Sequence, residues 1–122
     1  MISEPVRKRL ALLHPEGSEQ LARINQLALE ATEPELLELC AGCIDSLLQD
    51  KSWVPPHPLT PRQQAFIAFS EQFATSVSTL PDAQVARLLE FASEDEVYGF
   101  VNALYVVDMS RRLDVVVGRI LV

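Results

Sequence analysis

The sequence carries few of the features that announce a function. Cysteine is scarce: Cys40 and Cys43 are the only two among 122 residues. Set three residues apart, they cannot staple distant parts of a fold, which excludes a disulfide scaffold. No long hydrophobic run is present. The longest, Val97 to Val107, is about half the ~20 residues needed to span a bilayer, and Gly99 and Asn102 interrupt it. The apolar stretch Leu10 to Leu13 is stopped at once by His14-Pro15-Glu16, so no secretory leader is read there. A cytoplasmic protein with no membrane partner is expected. Positive charge is short as well. The formal net charge is −7, and the only basic cluster is Arg7-Lys8-Arg9. Such a chain repels phosphate backbones, which argues against a nucleic-acid partner. There is no Gly-rich phosphate loop, no nucleophile elbow and no metal-binding helix motif. A zinc site would need His14 and His57 to join the cysteines, and that spacing matches no zinc pattern. No cofactor and no metal are expected.

What is present is apolar and helical. The composition is 48% hydrophobic, ample for a packed core in a single domain spanning residues 1–122. A domain this small buries a modest share of its surface, so burial is expected to continue in a homo-oligomer. Helical spacing recurs along the whole chain, and no strand pattern does. Val6, Leu10 and Leu13 share one face of a first helix capped by Ser3. Leu21, Ile24, Leu27 and Ala28 share one face of a second, capped by Ser18. A third begins at Thr32, with Glu35 completing a capping box, and carries Leu36, Leu37, Cys40, Cys43, Ile44, Leu47 and Leu48. Trp53-Val54-Pro55-Pro56-His57-Pro58 cannot be regular helix and forms a linker.

Thr60-Pro61-Arg62-Gln63 is a strong helix start, leading to Ala65, Phe66, Phe69 and Phe73. Pro81 opens a short helix with Val85, Leu88 and Leu89. Ser93 caps the last helix, where Glu94-Asp95-Glu96 sit at the positive end of the dipole. This helix begins apolar on nearly every side, as a helix buried in a core or between subunits does. Val115-Val116-Val117, all β-branched, are expected to fray or leave it. The architecture expected is all-α, a compact bundle of about six helices.

Leu59-Thr60-Pro61-Arg62, with Ala65 and Glu71 after it and then Asn102 and Asp108-Met109-Ser110-Arg111-Arg112-Leu113, resembles the carboxymuconolactone decarboxylase and alkyl hydroperoxidase D-like superfamily. The resemblance covers the second half of the chain well and the first half loosely. It implies an alkyl hydroperoxidase D-like helical fold and assembly as dimers to hexamers. Redox members of the superfamily carry Glu, eleven residues, Cys, two residues, Cys, three residues, His. In them the second cysteine attacks peroxide, the first resolves the disulfide, and Glu and His relay protons. Two registers are open. Aligning the thiols makes Cys43 the attacking and Cys40 the resolving residue, with Ala28 and Leu47 in the relay positions and Glu38 as a substitute relay. Aligning the acid on Glu38 puts the imidazole on His57 and leaves Asp50 and Trp53 in the thiol positions.

The resemblance therefore implies one of three functions. The first is a thiol-dependent peroxidase taking a small peroxide. The second is a non-catalytic, oligomeric member that binds a small apolar ligand or a partner. A lactone decarboxylase is a third, for which no residue set stands out. Elementary chemistry weighs on the thiols: Cys40 lies about two turns inside its helix, beyond the first-turn reach of the dipole, with Glu38 and Asp45 nearby in sequence. The plain alternative is two small buried core residues. His57 reads otherwise as a loop residue between prolines, and Trp53 as the loop's hydrophobic anchor. Asp108 and Arg112, four apart, with Arg111 beside them, form a structural ion pair that lets the buried helix leave the core. If that pair is buried, breaking it costs about 3–5 kcal/mol.

Overall fold

Proline starts the helices. Of the eight prolines, four lie in the first turn of an α-helix and a fifth is the N-cap residue of another. The ring fixes φ near the helical value, and the N–H it lacks would have had no partner there. The computed structural model describes residues 3–121. Six α-helices follow one another: α1 Glu4–Leu13, α2 Pro15–Ala31, α3 Pro34–Leu48, α4 Pro61–Ser76, α5 Asp82–Leu89 and α6 Glu94–Leu121, with a 3-10 turn at Val77–Thr79 between α4 and α5. No strand occurs among the described residues.

Two helix starts differ from expectation. The His14-Pro15-Glu16-Gly17 break is a single residue wide, because Pro15 already opens α2 and Ser18 lies inside it. His14 is the cap: its Nδ1 accepts the Gly17 amide at 3.1 Å. A Cβ on Gly17 would come within 2.8 Å of that same nitrogen, which explains the glycine. Thr32 ends α2 rather than capping α3; Glu33 takes the N-cap position of α3 without a side-chain bond, so the Thr32–Glu35 box does not form. Two other boxes close. Thr60 and Gln63 exchange both bonds at α4, as do Ser93 and Glu96 at α6.

The linker leaves α3 through a left-handed residue. Asp50 has φ 55°, Lys51 N–H donates to Ser46 O at 2.8 Å and Asp50 N–H to Leu47 O at 3.2 Å. That is the paired closure of a Schellman motif. Residues 51–60 then run without helix, long enough to carry the chain back so that α4 lies beside α3 in the same direction. Arg62 of α4 pairs with Glu33 at 2.7 Å at one end, and Glu71 reaches Cys43 further along.

The core lies between α3, α4 and α6. Leu37, Cys40 and Ile44 meet Phe66, Phe69 and Phe73, and these meet Phe100, Leu104 and Val107. Phe66 and Phe100 pack edge to face at 4.7 Å, a geometry that adds about 0.5–1.5 kcal/mol to area burial. In α5 only Leu88 is buried, and Val85 and Leu89 stay exposed. α2 crosses α6 closely, since a Cβ on Gly99 would stand 2.5 Å from Ala31 O. α1 lies along the far end of α6, where Ser3 N–H donates to Asp114 Oδ1 at 2.8 Å and Val6 sits over Gly118. These contacts hold Val115–Val117 in the helix, which continues to Leu121 despite their β-branching. The result is a compact six-helix bundle.

Candidate functional site

The helical period of α3 sorts its residues onto two faces. Leu37, Cys40, Ile44 and Cys43 turn inward to the core. Glu35, Glu38, Leu39 and Gly42, spaced three, one and three apart, line a cleft on its outer side. The opposite wall is the linker: Trp53, Pro56 and His57, with Gln63 from the first turn of α4. The cleft encloses about 490 Å³, within the usual range for small-molecule sites. Gly42 makes room for the indole, because a Cβ there would stand 3.2 Å from Trp53 Nε1.

The two alignment registers thus separate in space. Glu38 and His57, paired in one register, share the cleft, and Trp53 stands in it with them. Cys40 and Cys43, paired in the other, are absent from its lining. His57 Nδ1 lies 2.9 Å from Pro58 O. A carbonyl oxygen only accepts, so Nδ1 carries the proton and donates. In the neutral ring this leaves Nε2 as the free base, the tautomer a proton acceptor needs.

The thiols occupy another environment. Cys40 is 0% exposed and Cys43 2%, and both are free. Burial pushes the Cys40 thiol up to about 11, offset only in part by the Ser70 hydroxyl beside it. Ser70 is itself buried and donates to Phe66 O at 2.8 Å. Cys43 is pushed up to about 12, first by burial, then by the Glu71 carboxylate and the neighbouring Cys40. The Cys43 S–H donates to Glu71 Oε1 at 3.5 Å. A carboxylate that accepts the thiol proton favours the thiol over the thiolate. Glu38, on the other face of α3, is not among its partners.

Asp108, Arg111 and Arg112 lie away from the cleft and divide their bonds. Arg112 Nε donates to Asp108 Oδ2 at 3.0 Å and its Nη2 to Ala74 O at 2.6 Å, tying α6 to the end of α4. Arg111 turns instead toward Asp45 of α3, at 3.9 Å. Arg112 is about half exposed, so the pair sits at the rim of the core. Among the described residues no three His, Cys, Asp or Glu side chains converge as a metal site would require.

Glu35 and Gln63 had been read in the sequence only as capping residues, and Leu39 and Gly42 had drawn no notice, although the spacing of 35, 38, 39 and 42 already places these four on one helix face. Glu71 was visible as a residue of the resemblance, but its contact with Cys43 depends on the parallel placement of α3 and α4. Compared with family models, curated proteins and solved structures, the chain matches none.

Proposed function

We propose that this chain is a carboxymuconolactone decarboxylase-like, alkyl hydroperoxidase D-like helical domain that binds a small molecule in the α3–linker cleft and lacks thiol peroxidase chemistry. The observation that carries the reading is the segregation of the two half-sites: Glu38 and His57 line the open cleft, whereas both thiols are buried in the core. Peroxide reduction needs a thiolate to attack an O–O bond. With Cys43 pushed up to about 12, only about one molecule in 10⁵ carries that thiolate at pH 7. The family resemblance supports the fold, and the register with Glu38 and His57 accounts for the acid and the imidazole.

The cleft chemistry narrows the ligand. Glu35 and Glu38 supply two carboxylates, His57 a hydrogen-bonding ring nitrogen, and Trp53, Leu39 and Pro56 apolar walls; no Lys or Arg lines it. An indole face beside carboxylates suits a cation with an apolar body. The ligand class is a small aromatic or aliphatic amine.

Trp53 is the only tryptophan, so its fluorescence reports on this cleft alone. Titration with benzylamine is expected to give a saturable change in the millimolar range, as a fragment of about eight heavy atoms allows. Benzoate is expected to give none, and Glu38→Gln to weaken benzylamine about tenfold. A benzoate response equal to that of benzylamine, or no saturable change with either, would sink the reading.

A further inference from the structure

We infer that the solvent face of α6 is a self-association seam on which two copies of this chain pair antiparallel about a two-fold axis. The core takes one side of α6 through Phe100, Ala103, Leu104, Val107 and Ser110. Diametrically opposite, at spacings of seven, four, seven and four, stand Tyr98, Tyr105, Met109, Val116 and Ile120. Their exposures are 72%, 57%, 44%, 55% and 72%. Together these equal about three fully exposed large side chains, or roughly 600 Å² at about 200 Å² each. That reaches the upper end of apolar patches on monomers, about 300–600 Å². It supplies most of the ~800 Å² per partner of a standard interface. The seam is separate from the α3–linker cleft and does not rest on the ligand reading.

Charge selects the partner and its direction. Glu94 lies at the start of the stripe and Arg119 at its end, on the same flank by helical angle. In a parallel two-fold pair the two copies of this flank lie on opposite sides of the seam, so Glu94 and Arg119 find no counterpart across it. In an antiparallel pair the same flanks meet, and Glu94 of one copy faces Arg119 of the other. The register that sets Tyr98 across from Val116 and Tyr105 across from Met109, a favourable sulfur–aromatic contact, brings Arg119 to within one residue of the position facing Glu94. The two-fold axis then falls between Tyr105 and Met109. An isologous patch that complements itself in this way closes as a dimer and cannot propagate.

Sedimentation velocity on the full chain tests this. The wild type is expected to be a dimer at about 10 μM, and Met109→Lys, which places two like charges near the axis, to weaken dimerisation about 100-fold. Met109 is on the surface, so helicity and melting of that variant are expected to match the wild type. Glu94→Arg and Arg119→Glu are each expected to weaken the dimer about tenfold, and the double variant to restore it to within about threefold. A wild type that stays monomeric to about 100 μM, a trimer or larger ring, or a folded Met109→Lys that dimerises like the wild type overturns the seam. A double variant no tighter than the single ones overturns its antiparallel direction.

Discussion

Native thiol reactivity is the sharpest consequence of the packing around α3. Consider an aromatic disulfide reagent at pH 7.5. In urea each cysteine titrates near its ordinary 9.0, so about 3% is thiolate. In the folded chain, with Cys43 at about 12, the fraction falls about 1,000-fold. The rarer thiolate is more nucleophilic, and over three units a Brønsted slope of about 0.45 returns roughly 20-fold. Titration alone therefore slows Cys43 about 50-fold. The side chain is 2% exposed, so reagent must also wait for a local opening, which slows it further. Cys40, at 0% exposure, follows the same rule. Stopped-flow absorbance, with peptide mapping to assign each site, reads both rates in native buffer and in urea. Peroxide consumption by the wild type should then equal that of Cys43→Ser. Labelling of native Cys43 within about fivefold of its urea rate, or turnover that Cys43→Ser abolishes, would refute the argument and return the chain to the thiol enzymes.

Three further outcomes follow from the same geometry. Cys40 is raised to about 11 in the fold against 9.0 outside it, so folding favours the neutral thiol; its contribution is complete below pH 9 and is lost as pH rises toward 11. Urea melts should show the wild type losing about 1.4 kcal/mol per pH unit more than Cys40→Ala across that window, about 2–3 kcal/mol in all, and parallel slopes would contradict it. Gly99→Ala puts a Cβ 2.5 Å from Ala31 O, a backbone atom that yields only if α2 and α6 separate; a loss of about 1–3 kcal/mol by urea denaturation is expected, and an unchanged midpoint would mean the helices part freely. Asp50→Gly relieves a left-handed residue at φ 55° and should raise stability by up to about 1 kcal/mol, with a loss showing that the Asp50 side chain contributes more than its backbone conformation costs.

The helices were legible because their signals are local. Thr60-Pro61-Arg62-Gln63 closed the capping box its spacing requires, and Ser93 caps α6 as expected, with Glu96 returning a bond that had not been read. Signals that compete within a few residues were not. Ser18 looked like a cap because serine caps well, yet Pro15 at the first helical position and the His14 ring together start α2 four residues earlier. Val115–Val117 looked unfit for helix by propensity, and tertiary contacts overrode it, through Val6 over Gly118 and Ser3 bonded to Asp114.

The cleft was half legible, for a reason that also explains the thiols. Spacing on α3 fixes which residues share a face, and it placed Cys40 and Cys43 with Leu36, Leu37 and Ile44. It could not fix which face the linker covers. That depends on the parallel return of α4, which lays Trp53 and His57 over Glu38 and leaves the cysteine face to Phe66, Ser70 and Glu71. The same rotation decides the chemistry. Had the linker crossed the other face, the thiols would stand beside an imidazole at a cleft edge, where a cation lowers a thiol pKa. Packed as they are, between phenyl rings and a carboxylate, they are held as neutral core groups, and the proposed ligand site is the face that kept its acids and gained the indole.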